Sequence, residues 1–173
     1  IGLANYILGD YANASKYFAD AIQLFRKLND RENESDILNG YAIIYRRLGD
    51  NERALKYAQD ALRIKREIND EAGIANALKL IGNIYLSMPK VKEAREYYFQ
   101  AKEIAEKIGN KKMFSGILCN IGICYKMEEK YDEALVYFHD ALQIVKDIDN
   151  NEYNVILLFE NIGDVLVNTG KYF

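Results

Sequence analysis

Residues 81–101, "IGNIYLSMPKVKEAREYYFQA", hold the only proline of the chain, Pro89, and a crowd of aromatic side chains around Ala94. Such a stretch could line an active site or be a building block, and comparison of the chain with itself favours the block. "NASKYFADAIQLFRKLND" (13–30), "RALKYAQDALRIKREIND" (53–70), "EAREYYFQAKEIAEKIGN" (93–110) and "EALVYFHDALQIVKDIDN" (133–150) align without a gap. Ala14, Ala54, Ala94 and Ala134 recur at one constant interval of forty positions, and so do Ala21, Ala61, Ala101 and Ala141. Gly2, Ala42, Gly82 and Gly122 form a third series at the same interval, which Gly163 continues one position late. The units run approximately 1–30, 31–70, 71–110, 111–150 and a partial 151–173.

Each unit reads as two helices. In "NALKLIGNIYLSM" the apolar residues Ala77, Leu80, Ile81, Ile84 and Tyr85 recur at three-and-four spacing, the mark of a helix with one buried stripe. A break follows. Gly9, Gly49 and Gly170 can take the left-handed conformation that ends a helix, and Asp10 and Asp50 can cap the next one. Pro89 occupies the same break, where its missing N–H and fixed φ are expected to do least harm. The second helix runs to Leu28, Ile68, Ile108 and Ile148. Asn29-Asp30, Asn69-Asp70, Gly109-Asn110 and Asp149-Asn150 then supply the next break and cap.

The recurring small residues have a mechanical reason: at Gly82, Ala94 and Ala101 a larger side chain would push neighbouring helices apart. Aromatics fill the volume opposite, with Tyr45, Tyr85 and Tyr125 three residues after the small position and Phe18, Tyr98 and Phe138 four after an alanine. Because the same aromatics return in unit after unit, they suit packing better than a cofactor box. A single hairpin buries too little surface to stand alone, so the units must stack.

Composition agrees with an ordinary globular chain: 173 residues, 50% hydrophobic and 28% charged, with a formal net charge of -3. That charge gives no overall positive field for nucleic acid or an anionic membrane. No apolar run approaches the roughly 20 residues that span a bilayer, and the N-terminus lacks the layout of a secretory signal. A cytoplasmic setting is expected. The chain opens at Ile1 inside a first helix and stops at "NTGKYF" where a second helix should begin. A fragment of a longer protein is the expectation, with self-association through uncapped ends as one consequence and Tyr172 and Phe173 frayed or packed on something absent.

At this point the residues resemble the tetratricopeptide repeat family. Ile81-Gly82, Tyr85, Ala94, Tyr98 and Ala101 are similar to its L-G-x-x-Y, A, F/Y, A signature, and Ile121-Gly122, Tyr125, Ala134, Phe138 and Ala141 repeat it. Tyr41-Ala42, Tyr45, Ala54, Ala58 and Ala61 are looser, as are Ile1-Gly2, Asn5, Ala14, Phe18 and Ala21. The commonest form has a period of about 34 residues and a proline after the second helix. The longer period of this chain is similar instead to the variants in kinesin light chains, spindle-orientation scaffolds and bacterial signalling proteins. The resemblance implies an all-α, right-handed solenoid of antiparallel helix-turn-helix repeats, about four and a half of them in one domain over 1–173.

It also implies a binding scaffold whose first helices line a concave face that receives a peptide or partner helix. By position the candidates are Asp36, Asn39, Ile43, Arg46 and Arg47 in repeat two, and Asn76, Lys79, Asn83 and Leu86 in repeat three. Cys119, Asn120, Ile123, Lys126 and Met127 follow in repeat four, and Glu160, Asn161, Asp164 and Asn168 in the last, partial one. The asparagines among them, Asn39, Asn76, Asn83, Asn120 and Asn161, could hold a peptide backbone as a ladder, since an amide donates and accepts at once. The charges grade from basic (Arg46, Arg47, Lys79, Lys126) to acidic (Glu160, Asp164). One subset of the family grips a terminal carboxylate with a clamp over three repeats. Lys79, Asn83 and Asn120 match its first positions, but Leu157 and Asn161 replace the remaining lysine and arginine, removing charge-assisted bonds worth about 1.5–3 kcal/mol each.

Catalysis and cofactors have little to stand on. His139, the only histidine, falls on the solvent side of a second helix. Cys119 and Cys124, roughly 140° apart around a helix, suit neither a mutual disulfide nor a metal site and read as reduced core thiols. Glu128-Glu129 and Glu152-Glu160 read as solvated charge, and no strand precedes a glycine-rich phosphate loop. The expected partner is a protein or peptide. The alternative is a regulatory sensor segment controlling an output domain outside this chain.

Overall fold

The computed structural model describes residues 9–146, 148 and 152–170. The expectations for Ile1, Gly2, Asn5, Asp149, Asn150, Tyr172 and Phe173 lie outside the described residues. Among those described there are eight helices: α1 (Tyr11–Lys27), α2 (Arg31–Arg47), α3 (Asn51–Glu67), α4 (Glu71–Ser87), α5 (Val91–Lys107), α6 (Lys111–Met127), α7 (Tyr131–Lys146) and α8 (Glu152–Thr169). α1, α3, α5 and α7 are the second helices of the hairpins; α2, α4, α6 and α8 are first helices.

From Tyr11 to Tyr131 the helix starts are evenly spaced, because one turn is used over and over. The residue at the centre of that turn carries positive φ: Asn29 (53°), Gly49 (80°), Asn69 (56°), Gly109 (68°) and Glu129 (59°). The next residue donates its N–H back across the helix end, as Asp30 does to Phe25 O at 2.9 Å, Asp50 to Tyr45 O at 2.9 Å and Asn110 to Ala105 O at 3.1 Å. That residue then caps the following helix. The side chains of Asp10, Asp30, Asp50, Asp70 and Asn110 accept from the backbone N–H three residues on, at 2.8–3.1 Å. One residue therefore closes one helix and opens the next. Lys130 stands at the same position before α7 with no acceptor to offer.

Pro89 departs from expectation. It falls on the positive-φ position, at 27°, where a pyrrolidine ring that prefers about −65° is least at ease. The proline keeps the turn, since Lys90 N–H still reaches Tyr85 O at 3.0 Å, but in a strained form.

The chain divides into two compact units, Ile1–Lys90 and Val91–Phe173. In the first, α1 to α4 pack each on its neighbour in sequence, and α2 also lies against α4, so the first helices form one layer. Ala14, Phe18, Tyr41 and Ile44 make one core cluster and Ile22, Leu38, Ala61 and Ile64 another. In the second unit α5 to α8 follow the same rule, with α6 against α8. Its core joins Leu118, Ala134, Phe138, Ala141, Leu142, Val145, Leu158, Ile162 and Val165.

The small-against-large packing is seen at atomic detail in this second unit. A Cβ on Gly122 would lie 2.6 Å from Phe138 Cε1, so the ring occupies the space that glycine leaves. In the first unit Gly40, which belongs to no recurring series, makes the same kind of room for Phe18, at 2.7 Å. Ala54, Ala94, Ala134, Ala61, Ala101 and Ala141 are fully buried, whereas Ala21 is partly exposed. The recurring tyrosines stack on one another: Tyr45 on Tyr57 and Tyr125 on Tyr137, both with ring centroids 5.4 Å apart. Arg53 lies 4.7 Å over Tyr45, and Arg95 4.8 Å over Tyr125. These aromatics are taken up by packing.

Candidate partner-binding site

In the first unit the layer of first helices carries an open cleft of about 610 Å³ between α2 and α4. Five of the ten strongest sequence candidates line it: Asn39 and Arg46 from α2, and Asn76, Lys79 and Asn83 from α4. The floor and walls are apolar, built by Phe18, Ile37, Ile43 and Leu80. Helical spacing explains the convergence: Asn39 and Arg46 are seven residues apart, as are Asn76 and Asn83, so each pair stands on one stripe facing the other helix.

Electrostatically the cleft is unbalanced. The one carboxylate among its lining residues, Asp36, is taken by Lys65, whose Nζ stands 2.8 Å from it and 2.9 Å from Asp70. Burial pulls the Lys65 pKa down, but these two partners outweigh it and hold it above the usual lysine value. Among the described residues Lys79 finds no ion pair or hydrogen bond, and burial alone lowers its pKa. Arg46 Nε and Asn39 Oδ1 are both buried without a hydrogen-bond partner. Asn76 is exposed and equally unengaged among the described residues. Buried polar atoms are rarely left so, because each costs about 1–3 kcal/mol.

The second unit answers differently. Lys126 occupies on α6 the register position that Arg46 has on α2, but its Nζ donates to Asn161 Oδ1 at 2.7 Å and to Asp164 Oδ2 at 3.1 Å. Asn161, 7% exposed, also donates from Nδ2 to Leu157 O at 2.8 Å. The ladder expected over Asn39, Asn76, Asn83, Asn120 and Asn161 therefore loses its last rung, and the basic-to-acidic gradient loses Lys126 and Asp164, which cancel each other. Asn120 is half-buried and Arg47 is exposed at the end of α2, and both are engaged by other groups. Cys119 is buried, Ile123 packs on the core, and Met127 and Glu160 are exposed.

Glu128 is a correction. Expected from the sequence to be solvated, its side chain is only 15% exposed, with Arg95 at 2.6 Å and Lys130 at 2.8 Å. Its hydrogen bonds from Lys130 and Arg95 hold its pKa below the usual carboxylate value. Sequence reasoning misses it, and equally the buried Glu34 between Arg26 (2.8 Å) and Arg31 (2.5 Å), because the Arg95–Glu128 and Arg26–Glu34 pairs reach from one helix to the next segment. His139 is exposed, and burial pushes the thiols of Cys119 and Cys124 up to about 11 and about 12. Among the described residues no three His, Cys, Asp or Glu side chains gather as a metal site, and no helix is long and apolar enough to cross a membrane.

Residues 1–67 match the family model described as tetratricopeptide repeat. That match takes in the first 67 of the 173 residues. Among solved structures it is similar to BtubC (BKLC) from P. vanneervenii, at 22% identity and a TM-score of 0.85, covering 98% of this chain and 70% of that one. A Rap protein complexed with competence and sporulation factor matches at 18% identity and a TM-score of 0.83, over 99% of this chain and 48% of that one. A putative kinesin light chain with nearly identical repeats, from Podosopora anserina, matches at 12% and 0.76, over 98% and 84%. At such identities these matches establish the fold, an all-α repeat solenoid. The chain spans about half the length of the Rap structure. No curated protein matches its sequence.

Proposed function

We propose that this chain is a non-catalytic protein-interaction scaffold that holds a peptide or an extended partner segment on the first-helix face of residues 1–90. The observation that carries the reading is the cleft between α2 and α4. Apolar walls there surround Asn39, Arg46, Asn76 and Lys79, whose polar groups include two buried atoms and an ammonium left without a partner among the described residues. A peptide brings both what the walls can bury and what the polar groups lack, a backbone with alternating donors and acceptors. The Rap structure solved with a bound factor is a precedent for the fold carrying a partner.

The test is site-directed photo-crosslinking. A photoreactive residue at Asn76, on the rim of the cleft, is expected to capture peptides selected on the purified chain from a random dodecapeptide library. The same residue at Lys56, exposed on α3, is expected to capture none. Capture from Lys56 alone, or no selectable peptide, would sink the reading.

A further inference from the structure

The two units contain the same position in two states. Arg46 and Lys126 hold the same place, two repeats apart, each near the end of a first helix that packs on the next first helix. On α8 the facing groups are Asn161 and Asp164, and together they clasp Lys126 with an amide oxygen and a carboxylate. The corresponding residues of α4, counted from the start of each helix, are Leu80 and Asn83, so no carboxylate stands at the matching place before Arg46. Beside Leu80, α4 adds a second cation, Lys79, and the acid on the cleft wall is already held by Lys65. Among the described residues Arg46 and Lys79 thus stand uncompensated in the α2–α4 cleft, where Lys126 between α6 and α8 is compensated.

We infer that the α2–α4 cleft selects a carboxylate, seated between Arg46 and Lys79 as the Asp164 carboxylate is seated on Lys126, with an apolar neighbour against Ile43 and Leu80. The inference rests on the peptide-binding reading above and narrows it. An arginine and a lysine at once would give the ligand the fork geometry of a guanidinium and the point charge of an ammonium. Asn39 Oδ1, the buried acceptor in the same cleft, takes an N–H, and the peptide group next to the acid supplies one. The pair differs from the terminal-carboxylate clamp, whose matching positions are Lys79, Asn83 and Asn120: Arg46 and Asn39 belong to the preceding first helix. The carboxylate can come from an Asp or Glu side chain or from a chain end.

The experiment selects binders on the purified chain from a random dodecapeptide library displayed with free carboxyl ends. The best sequence is then resynthesised with each acid changed to its amide, and separately with an amidated C-terminus. Affinities are measured by titration calorimetry on the wild type, Lys79→Met and Arg46→Gln, after circular dichroism confirms unchanged helicity.

The expected result is at least a tenfold loss on the wild type for one of the two kinds of neutral peptide. The acid-to-amide change identifies a side chain and the amidated end a terminus. That loss should vanish on Lys79→Met and shrink on Arg46→Gln, while the neutral peptides bind all three proteins alike. Equal affinity of acidic and neutral peptides for the wild type would overturn the inference and leave the peptide-binding reading standing, as would an acid preference that survives both substitutions. A library that yields no binder would overturn both.

Discussion

Two glycines six residues apart on α6 offer a test of what the repeating small residues do. A methyl group on Gly122 would stand 2.6 Å and 2.7 Å from Phe138 Cε1 and Cδ1, against the roughly 3.5–4.0 Å at which carbon atoms rest in contact. The ring must retreat by about 1 Å. It has little room, because Phe138 is fully buried in a cluster with the equally buried Ala134 and Ala141. Overpacking of this kind costs about 1–3 kcal/mol. A methyl on Gly116 would meet nothing within 4 Å. Both substitutions recover the same helix-propensity term, about 1 kcal/mol for Gly to Ala in a helix interior. Gly116→Ala should therefore stabilise by up to about 1 kcal/mol, and the difference between the two variants isolates the packing term, about 1–3 kcal/mol in favour of Gly116→Ala. Urea denaturation followed by far-ultraviolet circular dichroism measures both midpoints, and Phe138→Leu in the Gly122→Ala background should recover part of the loss. Equal midpoints for the two alanine variants would refute the idea that the glycine series exists to seat a ring.

Four further outcomes follow from the turns and the cleft. Lys130→Asn should install the cap that Asn110 provides on α6, stabilising the fold to urea by up to about 1 kcal/mol, since the half-exposed Lys130–Glu128 pair given up is worth little and Glu128 keeps Arg95. Pro89→Gly should gain about 1 kcal/mol, the relief of positive-φ strain less the entropy of a freer unfolded chain, and a fall in the urea midpoint would show the turn to be relaxed. Lys79→Met should raise the urea midpoint while weakening carboxylate binding. Because the folded lysine pKa is lowered, the unfolded chain binds more protons, so the wild type should close the gap to Lys79→Met as pH climbs toward the ordinary lysine value of about 10.4. The caps Asp30, Asp50 and Asp70 titrate below their ordinary value. Their contribution is complete above about pH 4 and drains away as pH falls through the lowered pKa, so the triple Asp→Asn variant should show a flatter acid limb in urea midpoint against pH.

The fold was readable in this sequence because a repeat writes each structural demand several times. One alanine is a weak signal; Ala54, Ala94 and Ala134 at equal spacing are a packing contact, and all three are fully buried. The same averaging hides what single copies do. The side chains of Lys65 and Glu34 are buried almost completely, each between two opposite charges, and no periodic pattern distinguishes them from surface residues. The position of the candidate site was readable too, since the family resemblance, carried over by register, assigned Asn39, Arg46, Asn76, Lys79 and Asn83 to one face, and these five line one cleft. Their state was not. Whether a cation on that face is free depends on which residue faces it from the next first helix, and at equal offsets from the helix start α4 and α8 carry different residues. Counted from the start of each helix, α8 sets Asp164 against Lys126 and α4 has Asn83 at the matching place beside Arg46. In a solenoid the shared pattern accounts for stability. Function is therefore to be sought where equivalent positions differ in charge, and in this chain the difference between Arg46 and Lys126 is one carboxylate.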